Sequence, residues 1–132
     1  MAELYQNKDD TQREVDQFLI REIDTVPHLE ALLLLWNSRP KRWNVVQMAH
    51  GLFLDADTAR AILLDLQRRA LIVGEGDEIF GCDPDPDKDR LLAAVDAAYR
   101  TELIRISRLI HSKASASIRE FARAFRFKKE RE

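Results

Sequence analysis

Residues 44–82 read NVVQMAHGLFLDADTARAILLDLQRRALIVGEGDEIFGC, and this stretch decides the fold. Asn44 and Gln47 have the N-x-x-Q spacing of a capping box, in which the first side chain accepts from the third residue's N–H and the third returns the bond. Trp43 and Met48 flank the cap as a hydrophobic staple, so a helix starts here. Asp55 is a second N-cap, its carboxylate within reach of the N–H groups near Asp57 and Thr58. Behind it Ala59, Ile62, Leu63 and Leu66 repeat at helical spacing, which leaves Phe53, Leu54 and Asp55 as a tight turn. Leu71-Ile72-Val73 has strand composition, Gly74-Glu75-Gly76-Asp77 has turn composition, and Glu78-Ile79-Phe80 can return as a second strand. Two helices, a tight turn and a hairpin predict a winged helix-turn-helix.

The run from Thr58 to Ile72, TARAILLDLQRRALI, resembles the recognition helix and first wing strand of bacterial winged-helix regulators of the MarR, PadR and ArsR kind. In that family the helix usually ends in a Gly-Leu-Ile or Gly-Leu-Val step, and here Ala70 stands in place of the glycine. The resemblance implies a mainly α fold with a small β-hairpin wing, flanked by an N-terminal amphipathic helix and long C-terminal helices. It also implies a DNA-binding transcriptional regulator.

Composition sets the outer limits. With 132 residues, 45% hydrophobic and 33% charged, the chain is expected to form one compact soluble domain. No apolar run reaches the ~18 residues of a membrane helix. The opening MAELYQNKDD has neither the basic nor the apolar region of a signal peptide, so a cytoplasmic location is expected. Cys82 stands alone, which excludes an internal disulfide, and His28, His50 and His111 are too scattered for a zinc framework. No Gly-rich phosphate loop, Ser–His–Asp order or metal-ligand spacing appears, so neither enzyme chemistry nor a cofactor is expected.

Charge is unevenly spread. Net charge is −4 over residues 1–26, −4 over 27–98 and +6 over 99–132. An acidic front and middle face a basic tail, which calls for an anionic partner or for pairing between segments or subunits.

Three segments follow within the single domain. In residues 1–26 a polar, frayed start leads into an amphipathic helix over about 11–24, with Val15, Phe18, Leu19 and Ile23 on one face. Residues 27–83 hold the winged helix-turn-helix, led by a helix from His28 to about Asn37 that is apolar on nearly every side and therefore buried at the centre. The stiff acidic linker Cys82-Asp83-Pro84-Asp85-Pro86-Asp87 leads into residues 84–132, which continue as one long helix over about 88–112. There Leu92, Val95, Tyr99, Leu103, Ile106 and Ile110 recur at heptad-like steps, which predicts a dimerisation seam and a homodimer. Beyond it Ser117 can cap a last helix with Ile118, Phe121, Ala122 and Phe125 on one face and Arg119, Arg123, Arg126, Lys128, Lys129 and Arg131 on the other.

If Ala59, Ile62, Leu63 and Leu66 face the core, the recognition helix turns out Ala56, Asp57, Arg60, Ala61, Leu64 and Gln67 or Arg68. Arg60 is suited to a bidentate contact with guanine, and Thr58 to a phosphate or base edge. Lys41 and Arg42 stand where phosphates pass in winged-helix proteins, or are simply a solvated linker, with equal weight. Asp55, Asp57 and Asp65 act against DNA, and Glu75, Asp77 and Glu78 put three acids on the wing, where Arg or Lys would serve a minor groove. Two functions from different classes stay open. One is a homodimeric regulator binding double-stranded DNA through Lys41, Arg42, Thr58, Arg60 and Arg68. The other is a winged-helix module that binds another protein through the wing or the basic tail, with little or no DNA contact.

Overall fold

The computed structural model describes the backbone over residues 2–113 and the side chains over residues 9–113. The basic segment with Ile118, Phe121 and Phe125 lies outside the described residues. The fold is mainly helical with one small antiparallel sheet. Its elements are α1 (Ala2–Glu22), α2 (Val26–Asn37), β1 (Trp43–Asn44), α3 (Val45–Leu52), α4 (Ala56–Arg68), β2 (Val73–Glu75), β3 (Ile79–Gly81) and α5 (Pro86–Thr101), then a further helical stretch, α6, over 103–113.

The core forms around α2, as its all-round apolar sequence demands. Leu29, Ala31, Leu32, Leu33 and Leu35 are buried, and the helix touches α3, α4, α5 and β3. It starts two residues before the expected His28: Thr25 is the N-cap, its side chain accepting from His28 N–H at 3.3 Å, and Pro27 sits in the first turn where no N–H is needed. Val15, Leu19 and Ile23 of α1 and Ala59, Ile62, Leu63 and Leu66 of α4 complete one continuous core with Phe80 of β3. The helix of α1 extends over the start expected to be frayed. Nothing in residues 2–10 breaks a helix, and Glu, Leu, Gln and Lys favour one.

The helix pair at the centre follows its caps. Asn44 Oδ1 accepts from Gln47 N–H at 2.8 Å while Gln47 Oε1 accepts from Asn44 N–H at 2.9 Å, so the capping box is complete. α3 ends in a Schellman turn: Phe53 takes the left-handed conformation, φ 56, its N–H donating to His50 O, while Leu54 N–H donates to Ala49 O. Asp55 then caps α4 by accepting from Thr58 N–H at 3.0 Å. A second Schellman turn closes α4, with Ala70 at φ 60, Ala70 N–H on Gln67 O and Leu71 N–H on Leu66 O. That turn uses Leu71 and Ile72 as connectors, so the first hairpin strand begins at Val73, two residues later than expected.

The sheet has order β1-β3-β2, with Trp43 opposite Phe80 and Gly74 opposite Phe80 on the other side. β1 was not foreseen. A strand of two residues, the second of them the cap of α3, carries no alternation from which it could be read.

The C-terminal half departs most from expectation. The linker is shorter than composition suggests, because Asp85 is an N-cap accepting from Asp87 and Lys88 N–H, and Pro86 opens α5. The single long helix is two: α5 stops at Thr101, and Glu102, at φ −130 and ψ 45, turns the chain into α6. Along α6, Arg105 Nη1 lies 3.0 Å from Asp16 and Lys113 Nζ donates to Ile23 O, so α6 lies along α1 in the same direction. The six seam residues therefore do not form one stripe. Leu92, Val95, Ile106 and Ile110 are buried in this chain's own core, Tyr99 is half-buried with its hydroxyl on Glu30, and Leu103 alone stands 51% exposed.

Candidate nucleic-acid interface

The core-facing side of α4 fixes the opposite side. Ala56, Asp57, Thr58, Ala61 and Arg68 are exposed, and Arg60, Leu64 and Gln67 are half-buried. The hairpin stands beside this face. Arg60 Nη2 lies 3.2 Å from Glu78 Oε1 at the hairpin turn, and Arg42 Nη2 lies 2.6 Å from Asp83 at the hairpin's far end. Both arginines thus meet the hairpin region, Arg60 from α4 at the turn and Arg42 over Gly81 at the end of β3. Arg68 does not join them, lying eight residues further along α4, about 12 Å at 1.5 Å per residue.

Each of the five expected contact residues already has a partner. Arg60 is on Glu78, Arg42 on Asp83, and Arg68 on Asp65 at 2.5 Å. Lys41 Nζ stands 4.5 Å from the centroid of the Trp43 ring, and Thr58 Oγ1 donates to Asp55 Oδ1 at 2.6 Å. The cap bonds from Thr58 hold the Asp55 carboxyl below its ordinary value, so this acid is charged at the N-terminal end of the face. Exposed ion pairs of this kind contribute about 0–1 kcal/mol each, so the cations can exchange partners. The acids remain where they are, and beside a phosphate backbone each removes part of the counterion release that drives binding.

Sequence reasoning passed over Arg69. It lies among three carboxylates, Glu22 at 3.6 Å, Asp24 at 3.2 Å and Asp65 at 3.5 Å, and also donates to Arg21 O at 3.1 Å. His28 Nε2 joins the group 3.1 Å from Asp65. Burial pushes the Asp65 carboxyl up, but the Arg68 hydrogen bond and the charges of Arg69 and His28 outweigh it and hold the carboxyl below its usual range. Burial moves His28 the other way for a base: desolvation lowers its pKa, against the pull of Asp65 and Asp24. Asp24, His28 and Asp65 bring ligand atoms within 4.8 Å of one another, the donor set of a metal site. Here Arg69, Arg68 and Lys113, the last 3.5 Å from Asp24, supply the positive charge, so the cluster works as a clamp fastening the end of α4 to the α1–α2 junction. The i,i+4 spacing of Asp65 and Arg69 was the one local signal for it.

One further feature was not legible, and the expectation that Cys82 is a small buried residue and no redox sensor agrees with its place in the core. Phe53, in the turn between α3 and α4, is 94% exposed, and Val46 on α3 is exposed as well. Cys82 is buried, and burial raises its thiol to about 11, which keeps it a protonated, unreactive core group. No match was found among family models, curated proteins or solved structures.

Proposed function

We propose that this chain is a winged-helix transcriptional regulator that binds duplex DNA as a homodimer, with α4 as the helix entering the major groove. One observation carries the reading. The capped α3–turn–α4 pair is backed by a β1-β3-β2 sheet whose hairpin turn stands against Arg60 of α4, so a helix end and a hairpin can meet the same duplex. Arg60 takes a guanine edge after leaving Glu78, Thr58 and Lys41 take phosphates or base edges, and Arg42 leaves Asp83 for the backbone. Ala61 and Leu64 offer apolar contact to thymine methyl groups. Because the acids stay, binding to random DNA is weak and its salt slope shallow.

The homodimer rests on apolar side chains left exposed beside the buried seam: Ile20 on α1, and Leu103 and Ile104 on α6. Two-fold symmetry then asks for a pseudo-palindromic site with half-sites about one helical turn apart.

A second reading has its own support. The expected DNA cations are all engaged within the chain, the hairpin turn carries Glu75, Asp77 and Glu78, and Phe53 protrudes next to α4. That surface suits a protein partner. The deciding test is selection of a DNA site from a random pool followed by Arg60→Ala. On the DNA reading the variant loses roughly 10- to 100-fold on the selected site and little on random DNA, following the ~1–3 kcal/mol of a bidentate base contact. Equal losses on both would make Arg60 a phosphate contact and not a base contact, and no selectable site favours the protein partner.

A further inference from the structure

A cleft of about 320 Å³ opens between α2, α3 and α5, away from the outward face of α4. Its floor is hydrocarbon from Leu33, Leu34 and Leu52, and Gly51 contributes backbone alone, with Leu34 and the Trp43 ring each 3.4 Å from where a Cβ would stand. Two carboxylates lie at the rim, and their surroundings differ. Asp96 is paired with Arg100 at 3.1 Å and accepts from Asn37 Nδ2 at 3.4 Å. Glu30 is half-buried and accepts from the Tyr99 hydroxyl at 2.8 Å, and no ion pair among the described residues includes it.

A carboxylate drawn partly out of water beside hydrocarbon, with a neutral donor and no counter-charge, gains from a cation brought to it. Burial and the bond to Glu30 push the Tyr99 hydroxyl up to about 12, so it stays a donor at neutral pH. One of the carboxylate oxygens is then left for a second donor.

We propose that this cleft binds a small organic amine, its ammonium donating to the Glu30 carboxylate and its hydrocarbon body lying on Leu33, Leu34 and Leu52. Arg100, which also lines the cleft, is taken up by Asp96, so an anion would face the unpaired charge of Glu30, and a neutral molecule would leave Glu30 without a counter-charge. The volume, at the low end of the ~300–1,000 Å³ of ligand sites, sets the size at that of a phenethylamine. The site does not depend on whether α4 meets DNA.

The test uses the full chain and three probes of one shape: 2-phenylethylamine, 2-phenylethanol and phenylacetate. Methyl NMR of the leucines reads both the location and the affinity of binding. The amine is expected to saturate at or below about 10 mM, shifting the Leu33, Leu34 and Leu52 methyls, with the alcohol and the acid at least about 10-fold weaker. Glu30→Gln keeps an acceptor for Tyr99 and removes the charge, and amine affinity should fall about 10-fold or more. Absence of saturable amine binding, equal binding of the three probes, or an unchanged affinity in a folded Glu30→Gln variant overturns the proposal. The three-probe comparison needs no variant and decides the matter if Glu30→Gln does not fold.

Discussion

Ala70 holds the left-handed conformation, φ 60, at the end of α4, where its N–H and that of Leu71 satisfy the last carbonyls. An L-residue there is strained by about 1–2 kcal/mol, and Ala70 is exposed, so no packing depends on its methyl group. Ala70→Gly is therefore expected to stabilise the chain by about 0.5–1 kcal/mol, net of glycine's greater unfolded-state entropy, and thermal unfolding should rise by a few degrees. This strain was visible in the sequence as a glycine missing from a familiar step. His28 was not legible in the same way, because Asp65 and Arg69 reach it only through the packing of α2 on α4. With its folded pKa lowered from 6.5 by burial, the unfolded chain takes up a proton that the folded chain refuses. Stability is then fully present above about pH 6.5 and is lost as pH falls from there toward the lowered folded value. His28→Gln should flatten that part of a melting-temperature profile between about pH 7.5 and 5, while an unchanged slope would place the acid sensitivity elsewhere.

Among the elements, those with caps were the legible ones. Asn44, Gln47 and Asp55 act locally, so α3, the turn and α4 could be placed from the chain alone. β1 and the break at Glu102 could not, since a two-residue strand is made by its partner and the turn into α6 by the ion pairs of Arg105 with Asp16 and Glu102. Heptad-like spacing in residues 92–110 is real, yet it reports burial without saying on what. Ile110 sits in this chain's own core, so Ile110→Ala should cost about 2–5 kcal/mol in urea unfolding. The loss should not change with protein concentration. A loss that vanishes at high concentration would return Ile110 to a subunit interface.

At the scale of the molecule, the acidic first segment and the cations beyond it meet across α1 and α6, through Asp16–Arg105 and Asp24–Lys113. Part of the charge asymmetry of the sequence is thus spent on folding. The remaining exposed apolar side chains there, Ile20, Leu103 and Ile104, are the ones a second copy would cover, and light scattering at micromolar concentration should give twice the mass of 15.3 kDa. Ile104→Asp should give the monomer mass with helical content unchanged. Function was less legible than fold because a DNA face is a matter of net charge, and the partners of Arg42 and Arg60 are set by tertiary structure. The central claim, that α4 and the hairpin meet duplex DNA, is tested most directly by fluorescence anisotropy on a random-sequence duplex at low and at physiological salt. Weak binding at low salt that declines with a shallow slope as salt rises is the predicted result, the mark of cations exchanging carboxylates for phosphates. No binding even at low salt would contradict it and leave the acidic hairpin and Phe53 to a protein partner.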